Sequence, residues 1–170
     1  MLARNESIFK WSLYAGATIL MLMLQGSLLQ RITVWGVIPF LYPALAALLG
    51  NYENPVPSAI FGLGLGVVCD LLLPGSIPCL CTLTFPLAGL SGSLIAKSLL
   101  KAGLLCALIS AAAAFLLTDL LRCLLLWAGG KPAWAAGLLV MLKEYVVTAP
   151  FLLLAVPLFS AVHRRVHLYD

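Results

Sequence analysis

Long apolar stretches separated by short polar clusters dominate the chain, and apolar and polar positions do not alternate strictly. Runs of this length read as membrane-crossing helices, whereas a membrane β-barrel would need alternation at every second residue. Six runs can be placed, at about 11–29, 34–49, 58–73, 79–96, 103–127 and 134–162. The second is the weakest, being short and carrying Pro39 and Pro43, which remove backbone donors and kink a helix. The polar loop NYENPVP, Asn51 to Pro57, follows it. Pro74 and Gly75 stop the third run, and Gly129, Gly130, Lys131 and Pro132 join the last two, flanked by Trp127 and Trp134 as interfacial anchors.

The third run carries the residue most in need of explanation. Asp70 continues a four-residue spacing through Gly66 and Gly62, so a carboxylate lies on the glycine face of a membrane helix. Small residues at this spacing let two membrane helices approach until their backbones touch, and an acid on that face then points into protein. Leu65 is expected on the lipid side. The fourth run holds Pro86, Gly89, Ser91, Gly92 and Ser93, a second small-residue face suited to close packing.

Composition fits one integral membrane domain over residues 1–170, with 63% hydrophobic and 9% charged residues and a mean hydropathy of +1.10. No soluble domain is left over, so binding or chemistry must sit in the bilayer or at its edges. The net charge of +4 is spread thinly and offers no nucleic-acid footprint. Its use is topological. Six crossings put both termini on one side; Arg4, Lys10, Lys97, Lys101, Arg164 and Arg165 fall there, against Arg31 and Lys131 opposite, which predicts cytoplasmic termini. The basic start of the first run imitates a signal peptide, but its length and the spans behind it read as a retained helix.

Asp119, Arg122, Lys143 and Glu144 join Asp70 as charges inside the runs, and each needs a partner in hydrocarbon. Asp119 and Arg122, three apart, can pair on one helix face. Asp70 and Arg122 lie near the outer ends of their runs and Lys143 and Glu144 about 13 to 15 Å into the sixth, which allows one polar cluster of all five. Three acids would then face two bases, leaving one acid to be protonated, hydrated or met by a partner. No catalytic motif appears: His163 and His167 sit in the terminal tail, no metal-ligand spacing is present, and no cofactor is expected. An intramembrane aspartic hydrolase built from Asp70 and Asp119 is a remote alternative. Cys69, Cys79, Cys81, Cys106 and Cys123 read as small hydrophobes, a Cys69–Cys79 bridge being the alternative.

Short length, compact spans, a proline-bearing second span, and Gly62, Gly64 and Gly66 running into Asp70-Leu71-Leu72 and the Gly75 turn together resemble the rod shape-determining protein MreD family. The resemblance covers most of the chain, although Pro78 and Cys79 stand where that pattern usually has a second glycine. It implies a non-enzymatic subunit of the bacterial elongation machinery in the cytoplasmic (inner) membrane. Such a subunit binds the single-span protein MreC and, with MreB and the wall-synthesis enzymes, supports lateral peptidoglycan synthesis. The six-helix arrangement is also similar to the substrate-binding subunits of energy-coupling-factor transporters, which supplies the alternative of a small-molecule-binding transport component. The site residues expected on these grounds are the polar set Asp70, Asp119, Arg122, Lys143 and Glu144 and the packing and turn glycines Gly62, Gly66, Gly75, Gly89 and Gly92.

Overall fold

The computed structural model describes residues 2–72, 77–98, 103–130 and 134–167, and their side chains from 8 to 165. Gly75, Lys101 and Lys131 lie outside the described residues. Six α-helices follow in order: α1 (Leu2–Ser27), α2 (Tyr42–Gly50), α3 (Pro55–Leu72), α4 (Leu80–Ser98), α5 (Leu104–Ala128) and α6 (Trp134–His167). Five of them, all but α2, are long and apolar enough to cross a membrane. The protein is a multi-pass α-helical membrane protein.

The second run departs from the expected span 34–49. Helix occupies only Tyr42–Gly50, nine residues, or about 14 Å, less than half of the ~30 Å hydrocarbon layer. Pro43 does not kink this helix but sits in its first turn, where a missing backbone donor costs nothing. Residues 34–41 are not helical. They begin in a two-residue hairpin in which Val34 and Val37 exchange both backbone hydrogen bonds at 3.0 Å, with positive φ at Trp35 and Gly36, as such a turn requires.

Despite its length α2 is the centre of the bundle. All nine of its residues are buried, and it packs against α3, α4, α5 and α6. A helix that is apolar on every side, and has Ala44, Ala46, Ala47 and Gly50 in place of bulk, has no face to give to solvent or lipid. The chain still runs from one end of the bundle to the other. At one end Gln25 of α1 bonds to Pro39 and Leu41; at the other Lys10 of α1 pairs with Glu53 at 2.7 Å. Those two contacts lie about 22 Å apart along α1. An extended piece and a short helix therefore accomplish together what one helix was expected to do.

Non-helical backbone at this depth survives only where protein satisfies it. Gln25 Nε2 donates to the Pro39 carbonyl at 2.6 Å while its Oε1 accepts from the Leu41 amide at 3.1 Å, and Thr148 Oγ1 of α6 accepts from the Phe40 amide at 2.9 Å. One glutamine thus stands in for a strand partner.

Close approach of α3 and α4 rests on glycine. A Cβ on Gly62 would lie 2.5 Å from the Phe85 carbonyl oxygen, one on Gly66 2.5 Å from that of Cys81, and one on Gly89 2.6 Å from that of Ser58. A Cβ on Gly92 would collide with the Ala47 carbonyl of α2, and one on Gly50 with that of Gly89. The pairs 58 with 89, 62 with 85 and 66 with 81 fix α3 and α4 as an antiparallel hairpin. Leu65 corrects the expectation of a lipid-facing residue: it is 5% exposed, while Leu63 and Leu71 face outward.

Candidate functional site

Asp70 does not join the other intramembrane charges. Its carboxylate crosses the α3–α4 turn and accepts from the Cys81 amide at 3.1 Å, the Thr82 amide at 2.8 Å and the Thr82 hydroxyl at 2.6 Å. These are first-turn donors of α4, which that helix cannot satisfy from within, and a negative group there also complements its dipole. Near the C-terminal end of α3 a carboxylate opposes that helix's own dipole, and the start of α4 answers it. Among the described residues no hydrogen bond or ion pair joins Asp70 to the other four charges, so in place of one bonded cluster there are a cap at the start of α4 and a smaller group around Arg122. Asp70 is thus engaged by the cap and Asp119 by an ion pair with Arg122.

Asp119 is 3% exposed, and its Oδ1 lies 3.1 Å from Arg122 Nη1 one turn along α5. Arg122 is half-buried and reaches past this pair into a cavity of about 560 Å³. Gln25, Pro39, Phe40 and Tyr42 line it from α1 and the segment leading into α2, and Val140 and Glu144 line it from α6. Glu144 lies within electrostatic range of both Asp119 and Arg122. Among the described residues Lys143 makes no ion pair or hydrogen bond with any of the other four, and it is not in the cavity wall. Two carboxylates therefore lie in the field of one guanidinium, with Asp119 alone paired to it, and Glu144 is the acid left over at the cavity. The site offers guanidinium donors, a carboxylate acceptor and aromatic surface to a ligand or a partner side chain.

The opposite end of the bundle holds a polar hub that sequence reasoning passed over as a loop. Lys10 of α1 pairs with the Glu53 carboxylate, Ser93 of α4 donates to the Glu53 carbonyl at 2.9 Å, Lys97 donates to Asn54 Oδ1 at 2.6 Å, and Ser110 of α5 donates to Asn51 Oδ1 at 2.7 Å. The Tyr52 ring lies 5.2 Å from that of His163 on α6, and the Tyr14 hydroxyl is 3.4 Å from His163 Nδ1. Four helices thereby grip residues 51–54. The signal was the density of hydrogen-bonding side chains in NYEN, matched by Ser93, Ser110 and two lysines elsewhere, but partners so distant in sequence are not visible in one chain.

All five cysteines are free thiols, with Cys69, Cys106 and Cys123 buried and Cys79 exposed. Among the described residues no group of three or more His, Cys, Asp or Glu side chains is placed to hold a metal. No family model, curated protein or solved structure matches the chain.

Proposed function

We propose that the protein is a non-enzymatic membrane subunit of the bacterial cell-elongation machinery, resembling MreD, with both termini cytoplasmic. Its direct partner is a single-span protein resembling MreC, and MreB and the wall-synthesis enzymes act in the wider complex. One observation carries this reading: Gly62, Gly66 and Asp70, on which the resemblance rests, act as one device. The glycines bring α3 against α4, and the carboxylate locks the turn between them. A motif that builds a rigid hairpin next to a half-buried charged cavity suits a scaffold. Glu144, the acid in excess there, is the group we assign to a basic or donor side chain of the partner.

The test is isolation of the tagged protein in mild detergent, with mass spectrometry of what accompanies it. A single-span protein with a periplasmic domain is the expected companion, and depletion should round rod-shaped cells. The cavity favours a second reading, because about 560 Å³ lined by Phe40, Tyr42, Gln25, Arg122 and Glu144 is sized for a compact polar molecule. Under that reading the protein is a small-molecule-binding transport component similar to energy-coupling-factor substrate-binding subunits. Co-isolation of an ATPase module or a bound small molecule, with no single-span protein, would favour it and withdraw the first.

A further inference from the structure

At the Lys10 end lies a second cavity of about 270 Å³, lined by Lys10, residues 50–54, Ala96 and Lys97. Both ammonium groups are fixed, Lys10 by Glu53 and Lys97 by Asn54, yet each carries three donors and keeps some for a ligand. One carboxylate against two ammoniums leaves a positive charge in excess. The walls also hold an unfilled donor: Asn51 Nδ2 is buried without a hydrogen-bond partner, in a residue 6% exposed.

The polar cavity adjoins an apolar one. Trp11, next in the chain to Lys10, lines a space of about 510 Å³ with Ala15, Pro57, Ile60 and Phe61. A further space of about 370 Å³ shares Ala15, Ile60 and Phe61 with it and continues to Leu22 and Val68. Together they form one groove between α1 and α3. Small residues keep it open, since a Cβ on Gly64 would meet nothing within 4 Å. From Trp11 to Leu22 the groove follows about 16 Å of helix, close to one leaflet's share of a ~30 Å hydrocarbon layer. The Lys10 ammonium stands 5.8 Å from the Trp11 ring centroid, a basic and aromatic pairing typical of the level where headgroups meet chains.

We propose that this composite surface binds one anionic phospholipid of the leaflet at the Lys10 end. Its phosphate lies between Lys10 and Lys97, and one acyl chain follows the groove past Ala15, Phe61 and Gly64. Charge complementarity at one end, and an apolar channel of leaflet depth that begins at the neighbouring Trp11, select an amphipathic occupant over a purely apolar one. A headgroup oxygen can supply the acceptor that Asn51 Nδ2 lacks.

Native mass spectrometry of the full chain, released from nanodiscs of mixed phosphatidylglycerol and phosphatidylcholine, tests this. One retained phosphatidylglycerol is expected, preferred over phosphatidylcholine on the order of tenfold. Lys97→Gln, at an exposed position with a neutral partner, should lower that preference on the order of fivefold. Gly64→Leu starts from a Cβ that meets nothing within 4 Å, extends into the groove, and should abolish retention while leaving thermal stability intact. Equal retention of the two lipids, or retention unchanged by Gly64→Leu, would overturn the proposal. Protection by inorganic phosphate as good as that by the lipid would confine the site to the ion and also overturn it. So would a co-isolated protein that Gly64→Leu releases without any change in bound lipid.

Discussion

Asp70 and Thr82 are joined twice across the α3–α4 turn, Oδ2 of the aspartate accepting from both the amide and the hydroxyl of the threonine. The carboxylate of one membrane helix is thus the cap of the next. Asp70→Ala removes three acceptor contacts and the charge at the α4 terminus, and should cost about 1–3 kcal/mol by analogy with lost caps and charge-assisted hydrogen bonds. Asp70→Asn keeps one acceptor oxygen and should lose less. Thermal unfolding in detergent measures both. Equal stability of wild type and Asp70→Ala would mean that the cap contributes nothing and that Asp70 is held for another purpose.

Gly66→Leu should abolish a stable fold, whereas Leu63→Ala should be tolerated. A Cβ at position 66 meets the Cys81 carbonyl oxygen at 2.5 Å and Thr82 Cα at 2.7 Å, both backbone and unable to yield. Leu63 is 50% exposed on the outer side of the same helix. Leu65, a neighbour in sequence, belongs to the core, and Leu65→Ala should cost about 2–4 kcal/mol as a cavity-forming change. Detergent-stable yield and melting temperature rank the three. If Gly66→Leu survives as well as Leu63→Ala, α3 and α4 do not pack by glycine.

Five of the helices were legible in the sequence because each is a long apolar run, and length with hydropathy suffices to find such elements. The α3–α4 contact face was legible for a related reason: Gly62 and Gly66 repeat at an interval that places them on one face of α3, and Gly89 meets that helix from α4, whereas Gly92 serves the contact with α2. What Asp70 does was not. Its partners are backbone amides and a threonine beyond a turn, and amides carry no sequence signature. The second run misleads because prolines inside an apolar run read as kinks in one long helix, whereas Pro43 opens a short one. The pairing of Asp119 with Arg122 could be read from their spacing, but Glu144 joins them only through the packing of α6 on α5.

Gln25 is a single side chain on which the entry to α2 depends. Gln25→Ala would strip the Pro39 carbonyl and the Leu41 amide of their partners inside the bundle, costing about 2–6 kcal/mol at roughly 1–3 for each buried group left unsatisfied. Gln25→Glu restores an acceptor for Leu41 and leaves Pro39 unserved, so an intermediate loss is expected. Hydrogen exchange at the Leu41 amide should rise in Gln25→Ala ahead of the α3 and α4 amides. Unchanged protection there would show that α2 is set by its own packing.

Cys79 offers a test of topology without engineering. It is the one exposed cysteine among the five, at the outer end of α4 under the proposed orientation. A membrane-impermeant maleimide added to intact spheroplasts should label it, and Cys79→Ser should remove the signal. Labelling only after permeabilisation would invert the orientation and place both termini outside the cytoplasm.

Glu144 separates a structural role from a docking role at the cavity. It lies in the field of Arg122, whose guanidinium pairs with Asp119, so in the isolated protein its charge is opposed by a neighbouring carboxylate. Glu144→Gln removes that opposition while preserving shape, and should leave the melting temperature unchanged or raise it slightly. Arg122→Ala is the contrast, since it strands Asp119, 3% exposed, as an unpaired buried charge at about 3–5 kcal/mol. Replacing Asp119 by Asn in the Arg122→Ala background should recover much of that loss. If Glu144 receives a basic side chain of the partner, Glu144→Gln should lower co-isolation of that partner despite its intact stability. If co-isolation stays normal while Arg122→Ala behaves as expected, the three charges only hold α5 to α6, and the docking role at this cavity is withdrawn.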